Sequence, residues 1–196
     1  MASLQVHLAI AKLFVEKNPG LIKDKQAFYN GNVLPDLDPD KGNSHFGIRG
    51  ERIDLIKRHK EKVGIKKFLE LNKLDDDLNL GRFLHLYTDW AYYNKMFDDD
   101  YLRKTTLANF DTNHLYTIVE LDKGIKNKYG ILYGITSMEK QLLTVIDEWN
   151  KKQGSPKGKL LFSQEELLAF IEMISNIDLL CPVFLAGLSD CDTHDF

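Results

Sequence analysis

Apolar side chains recur along this chain at intervals of three and four, the repeat of a helix face. Period-two alternation bounded by turns is nowhere sustained. Residues 3–16 are apolar nearly all round (Leu4, Leu8, Ile10, Ala11, Phe14, Val15) and stop at Asn18-Pro19-Gly20, which predicts a buried helix. Residues 28–50 carry Gly31, Pro35, Pro39, Gly42, Gly47 and Gly50 together with Asp36, Asp38 and Asp40. That composition predicts a long loop, and a loop of this length inside a compact domain is usually functional. Helical patterns resume over 51–61 and 65–71, then strongly over 78–97, where Leu80, Phe83, Leu84, Tyr87, Trp90 and Ala91 mark a central helix. Another helix is expected over 101–129, interrupted near Asp111-Thr112-Asn113 and followed by a turn at 130–134. Thr136 to Glu139 and Ser163 to Glu166 have the spacing of a capping box, each ahead of an apolar run. They predict two C-terminal helices separated by a Lys/Gly-rich loop at 151–159. The fold class is all-α, a single-domain multi-helix bundle over 1–196.

Composition narrows the function classes. With 196 residues, 43% of them hydrophobic and 11% aromatic, the chain closes a core without staples. A domain near this size buries roughly 70% of its extended-chain surface. Lys and Arg number 26 against 29 Asp and Glu, so no basic excess tracks a phosphate backbone and no stable nucleic-acid partner is expected. A small phosphorylated substrate remains compatible. Cys181 and Cys191 are too few for a disulfide framework or a thiolate zinc site. The segment Met1-Ala2-Ser3-Leu4-Gln5-Val6-His7 lacks the basic n-region of a secretory signal, and no run of about 18 apolar residues occurs. A cytoplasmic location without a transmembrane segment is the expectation.

The chemistry gathers in the first half. His85 and Asp89 lie four apart on the predicted central helix, so an imidazole and a carboxylate share one face. The same spacing also serves as a plain hydrogen-bonded pair. Gly81 precedes His85 by one turn, where glycine costs about 1 kcal/mol relative to alanine, so something approaches closely there. The glycine-rich segment adds Asp36 and His45, and the first helix adds His7, which on an apolar helix also reads as a core histidine. Together Asp36, His45, His85 and Asp89 form a mixed N/O set suited to Zn²⁺ or another borderline divalent ion, and His7 could hold a second ion beside it. Asp38 and Asp40 are candidate acceptors for the ligand histidines, or a general base.

His7, then Gly31 to Pro35-Asp36, then Ser44-His45-Phe46, then Gly81-x-x-x-His85-x-x-x-Asp89-Trp90 resembles the zinc-dependent phospholipase C superfamily, particularly its small bacterial hydrolase-like members. The resemblance covers roughly the N-terminal half. It implies an all-α bundle like that of the phospholipases C and the single-strand nucleases, with the metal site between helices. It implies hydrolysis of a phosphoester, in a small molecule or a phospholipid-like substrate, by a metal-activated water. Residue by residue, Asp36, His45, His85 and Asp89 match the ligands of one metal, Asp89 matches the carboxylate that bridges to a second, and His7 matches a histidine on that second metal. Asp36 and Asp89 are the catalytic carboxylates on this reading. One or two zinc ions are expected, with Mn²⁺ or Fe as substitutes.

The chain also departs from that family. The secreted phospholipases complete one metal with an N-terminal tryptophan, whereas this chain starts Met1-Ala2. Their third metal uses an H-x-x-x-E pair, whereas His114 is followed at four by Ile118; Asp111, His114, Glu120 and Asp122 are the nearby candidates for a replacement ligand. A non-catalytic helical binding protein that keeps at most one structural ion is the alternative.

Overall fold

The computed structural model of the protein describes residues 2–47, 63–153 and 157–181. Among them the regular structure is helical, apart from one isolated β-bridge between Phe46 and Val63. In chain order the helices are α1 (Leu4–Lys17), α2 (Lys25–Leu37), the single turn α3 (Lys41–Ser44), α4 (Ile65–Leu71), α5 (Asp77–Lys95), α6 (Asp99–Lys104), α7 (Leu107–Tyr129), α8 (Glu139–Gln153) and α9 (Gln164–Ser175). A 3₁₀ turn at Tyr133–Ile135 joins α7 to α8. The helix expected over 51–61 lies outside the described residues, as does Cys191.

Helix α1 is buried along most of its length and packs against α2, α5, α7 and α9, as its near-continuous apolar sequence requires. Ser3 starts it by accepting the Val6 N–H at 3.3 Å. Asn18 ends it by donating from Nδ2 to the Phe14 carbonyl at 2.8 Å, and the chain then turns at Gly20, φ +87°. The predicted capping box at Ser163 is formed: Ser163 Oγ accepts the Glu166 N–H at 3.1 Å, and the Glu166 carboxylate accepts the Ser163 N–H at 2.6 Å. Thr136 does not cap α8 in that way. Its hydroxyl accepts the Met138 N–H at 3.2 Å and donates to Asn30 Oδ1 at 2.6 Å, tying the start of α8 back to α2.

Two expectations are corrected. Residues 28–37 are helix, the greater part of α2, and not the start of a long loop. The reason is tertiary. A Cβ on Gly31 would stand 2.0 Å from the Leu78 carbonyl oxygen, and one on Gly81 would stand 2.1 Å from the Phe28 carbonyl oxygen. These glycines let α2 and α5 cross backbone to backbone, and the packing offsets their poor helix propensity. Pro35 is accepted because the helix stops two residues later, so few backbone hydrogen bonds lie beyond it. The break expected at Asp111 falls earlier, at Thr105-Thr106, where Thr106 Oγ1 accepts the Asn109 N–H at 3.3 Å and starts α7.

The core around this crossing joins Phe14 to Phe28, with ring centroids 5.7 Å apart, and Phe68 to Phe83 at 6.1 Å. A second aromatic group, Tyr92, Phe97, Phe162 and Phe170, fixes α5 against α9. No helix among the described residues is long and apolar enough to cross a membrane.

Candidate metal centre

Helices α1, α2 and α5 and the end of α3 bring His7, Asp36, His45, His85 and Asp89 to one buried point. All five residues read from the sequence converge. Asp89 sits at the middle, with its two oxygens facing different neighbours. Oδ1 lies 3.3 Å from His7 Nε2 and accepts the Ala2 N–H at 2.9 Å. Oδ2 lies 3.3 Å from His45 Nε2 and 3.8 Å from His85 Nε2. Asp36 Oδ1 is 3.9 Å from His45 Nε2. The rings of His7 and His85 stack at 3.9 Å, tilted by 10°.

Two histidines have their far nitrogens occupied. His85 Nδ1 is 2.7 Å from the Asn32 carbonyl oxygen, which can only accept, so Nδ1 carries the hydrogen. His45 Nδ1 is 2.9 Å from Ser44 Oγ; that hydroxyl donates to the Pro35 carbonyl at 2.9 Å, so it accepts from the ring. Both Nε2 atoms therefore turn lone pairs inwards, yet they stand 3.3 Å apart. Two lone-pair nitrogens and two carboxylates face one another; Lys41 donates to Asp36 Oδ1 and the Ala2 N–H to Asp89 Oδ1, but Asp89 Oδ2 has no donor, so the centre favours an added cation. Asp89 Oδ2 and both ring nitrogens of His7 are buried without a hydrogen bond.

The titration behaviour follows from the same crowding. Burial, then the neighbouring His7, pushes His85 down to about 3, so its imidazole is neutral and available as a ligand at physiological pH. Burial opposes the charge on Asp89, but His7 and His45 outweigh it and hold the carboxyl well below the usual range. Asp36 is likewise held low against its burial, by His85, His7 and Lys41. Lys41 Nζ lies 3.3 Å from Asp36 Oδ1 and donates also to the Asp36 carbonyl.

The chain around His45 is held in place by a strained residue. Phe46 has φ +58°, unusual for a bulky side chain, and the His45 carbonyl accepts the Gly64 N–H at 3.0 Å. A Cβ on Gly64 would stand 2.2 Å from the Phe46 oxygen. Asp38 and Asp40 do not support the ligands. Asp38 Oδ1 accepts the Asp40 N–H at 2.7 Å, and Asp40 caps α3 by accepting the Asn43 N–H at 3.0 Å. The supporting acceptors are Asn32 and Ser44. Ser44 precedes His45 in the sequence and was a readable signal, whereas a backbone carbonyl on another helix was not.

Comparison of the chain with protein-family models, with curated proteins and with solved structures finds no match. The centre thus rests on its own geometry, and that geometry divides into two groups able to hold an ion, Asp36-His45-His85 and His7-His85-Asp89.

Neither ion-holding group includes any of the candidate replacement ligands. The His114 ring packs among Tyr92, Phe97 and Phe110, with Nε2 3.3 Å from the Tyr92 hydroxyl. Glu120 pairs with Lys123 at 2.9 Å. Asp111 and Asp122 line a pocket of about 430 Å³ that runs from Asp36 and Lys41 along α7 and α8. Asp122 bonds the Ser3 hydroxyl, and Lys126 Nζ lies 3.7 Å from its Oδ2. Burial pushes its carboxyl up despite these partners. A raised acid resists ionisation in the folded state, so it lowers stability at neutral pH and ceases to do so when protonated. Asp122→Asn keeps an oxygen for Ser3 and is expected to raise Tm at pH 7. The gain should fade as the pH falls through the Asp122 titration; a Tm difference independent of pH would contradict this.

Proposed function

We propose that the protein is a metal-dependent hydrolase of phosphoesters with zinc as its native ion. The observation that carries this reading is the buried, inward-facing set of His45, His85, Asp36 and Asp89, of which Asp36 also lines an open pocket. Donors held about 2.0–2.1 Å from a tetrahedral zinc ion stand about 3.3 Å apart. The separations of 3.3 Å for His45 to His85, 3.3 Å for His45 to Asp89 and 3.8 Å for His85 to Asp89 support a first ion there. His7 and Asp89 Oδ1 would hold the second, more weakly, since the Ala2 N–H already occupies that oxygen.

A divalent ion bound at this point supplies Lewis acidity and draws the pKa of a water from about 16 towards 7. Asp36 stands further out, 3.9 Å from His45 Nε2, so with His45, His85 and Asp89 on the ion a fourth position would stay open for water, and Asp36, which lines both the cluster and the pocket, is suited to orient that water and accept its proton. The water oxygen attacks phosphorus, the ester P–O bond breaks, and the proton leaves through Asp36 to the departing oxygen. Lys41 adds positive charge beside the Asp36 carboxylate in the pocket lining. Asn32 and Ser44 fix the tautomers of His85 and His45.

The decisive measurement is metal content by elemental analysis of protein purified without a chelator or a metal-affinity tag, followed by a phosphoester screen. One tightly held ion, a second taken up in excess zinc, and hydrolysis that disappears in Asp36→Asn are expected. No ion after incubation with Zn²⁺, Mn²⁺ or Fe²⁺ overturns the proposal, and metal without turnover of any phosphoester turns it towards a structural ion in a binding protein.

A further inference from the structure

The pocket that Asp36 and Lys41 line has further walls, which the hydrolytic chemistry does not use. It is walled by Leu115, Ile118 and Val119 of α7 and by Val145, Ile146 and Trp149 of α8. These side chains sit at spacings of one, three and four on each helix, so each helix turns an apolar stripe to the space between them. All six are half-buried: they are sheltered by one another and still open to the pocket. Its charged groups are Asp36, Lys41, Asp111, Asp122 and Lys126. Asp122 is bonded to Ser3 and lies beside Lys126, while Lys41 and Asp36 stand together at the end next to the cluster.

We propose that this α7–α8 pocket binds the apolar group of an amphiphilic anion, a single alkyl chain or aromatic ring, with the anionic head at the Asp36–Lys41 end. The assignment rests on the hydrolase reading for the reacting head and on the pocket alone for the tail. A volume of about 430 Å³ falls near the lower end of the range for small-molecule sites, about 300–1,000 Å³, and matches one modest apolar group rather than the two long chains of a membrane lipid. Ile118 and Trp149 are the residues assigned to selectivity, one on each facing helix.

Alkylphosphonates from ethyl to octyl, which resist hydrolysis, provide the test, with affinities measured by calorimetry on zinc-loaded and on metal-free protein. Each methylene buried in an apolar site tightens binding about fourfold, and the first several carbons should follow that slope. Trp149 fluorescence should change on binding. The change should be lost in Trp149→Phe, which leaves Trp90 as the remaining tryptophan. Ile118→Asn should flatten the chain-length series while leaving zinc content and inorganic phosphate binding intact. A flat series in the unaltered, zinc-loaded protein that still binds phosphate overturns the pocket and leaves the metal reading standing. Failure to take up zinc, combined with a chain-length slope in the metal-free protein, overturns the metal reading and leaves the pocket standing. Binding to phosphatidylglycerol vesicles in preference to dispersed octylphosphonate, with no change at Trp149, overturns the single-chain assignment.

Discussion

Replacing His85 or Asp89 with alanine is expected to strip both ions at once, whereas His7→Ala should remove only the weaker one. Asp89 directs one oxygen to His7 and the other to His45 and His85, whereas His85 offers only Nε2 to the first ion, and without that ion the second is left with His7 and Asp89 Oδ1 alone. Loss of a residue that merely supports a ligand costs about 10–100-fold in metal affinity, so loss of a ligand itself should exceed roughly 100-fold. Elemental analysis and zinc titration of the three variants, with far-ultraviolet circular dichroism to verify folding, separate the possibilities. Full metal content in both His85→Ala and Asp89→Ala would end the assignment. Equal loss in all three variants would mean that the two ions bind only as a pair.

Gly81→Ala should unfold or severely weaken the protein, against the usual trend. Within a helix the change from glycine to alanine ordinarily stabilises by about 1 kcal/mol. Here the new Cβ would meet the Phe28 carbonyl oxygen at 2.1 Å and the Asn32 nitrogen at 3.0 Å, both backbone atoms that cannot swing aside. Helices α2 and α5 must move apart, and the contact from His85 to the Asn32 carbonyl stretches with them. A loss of about 3 kcal/mol or more is expected, at the upper end of overpacking effects. Gly31→Ala should behave alike, since its Cβ would meet the Leu78 oxygen at 2.0 Å. Gly124→Ala in α7 is the contrast. Its Cβ meets the tip of the Gln164 side chain, which can rotate away, so stability should be unchanged or slightly higher. Urea unfolding of the three variants decides the matter. Similar free energies for Gly81→Ala and Gly124→Ala would show that the crossing tolerates separation.

The segments with an apolar stripe were legible because burial imposes the stripe. Residues 65–71 are helical over the expected span, and the ends expected at 3–16 and 78–97 shift by one or two residues. Segment 28–37 misled for a definite reason. Glycine lowers helix propensity wherever it stands, and only the partner helix reveals that Gly31 and Gly81 are a mutual contact. Thr106 was a readable start for α7, whereas Asp111-Thr112-Asn113 lies in a helix already under way, its polarity serving an exposed Thr112, a pocket-lining Asp111 and an Asn113 that accepts the Lys159 N–H at 3.0 Å. For the centre, residue type and spacing were enough to bring His7, Asp36, His45, His85 and Asp89 together. The duties of Asp38 and Asp40 were not, because a carboxylate beside a turn reads the same whether it caps a helix or orients a ligand.

The order of parts along the chain has a consequence for how such a protein can change. Every side chain of the ion-holding groups comes from the first 89 residues, whereas α7 and α8 supply the apolar walls of the pocket. On the proposed reading, substitutions within 115–149 reshape the α7–α8 walls while leaving the ion-holding side chains in place, so descendants of this scaffold could diverge in what the pocket accepts without altering the ion-holding set.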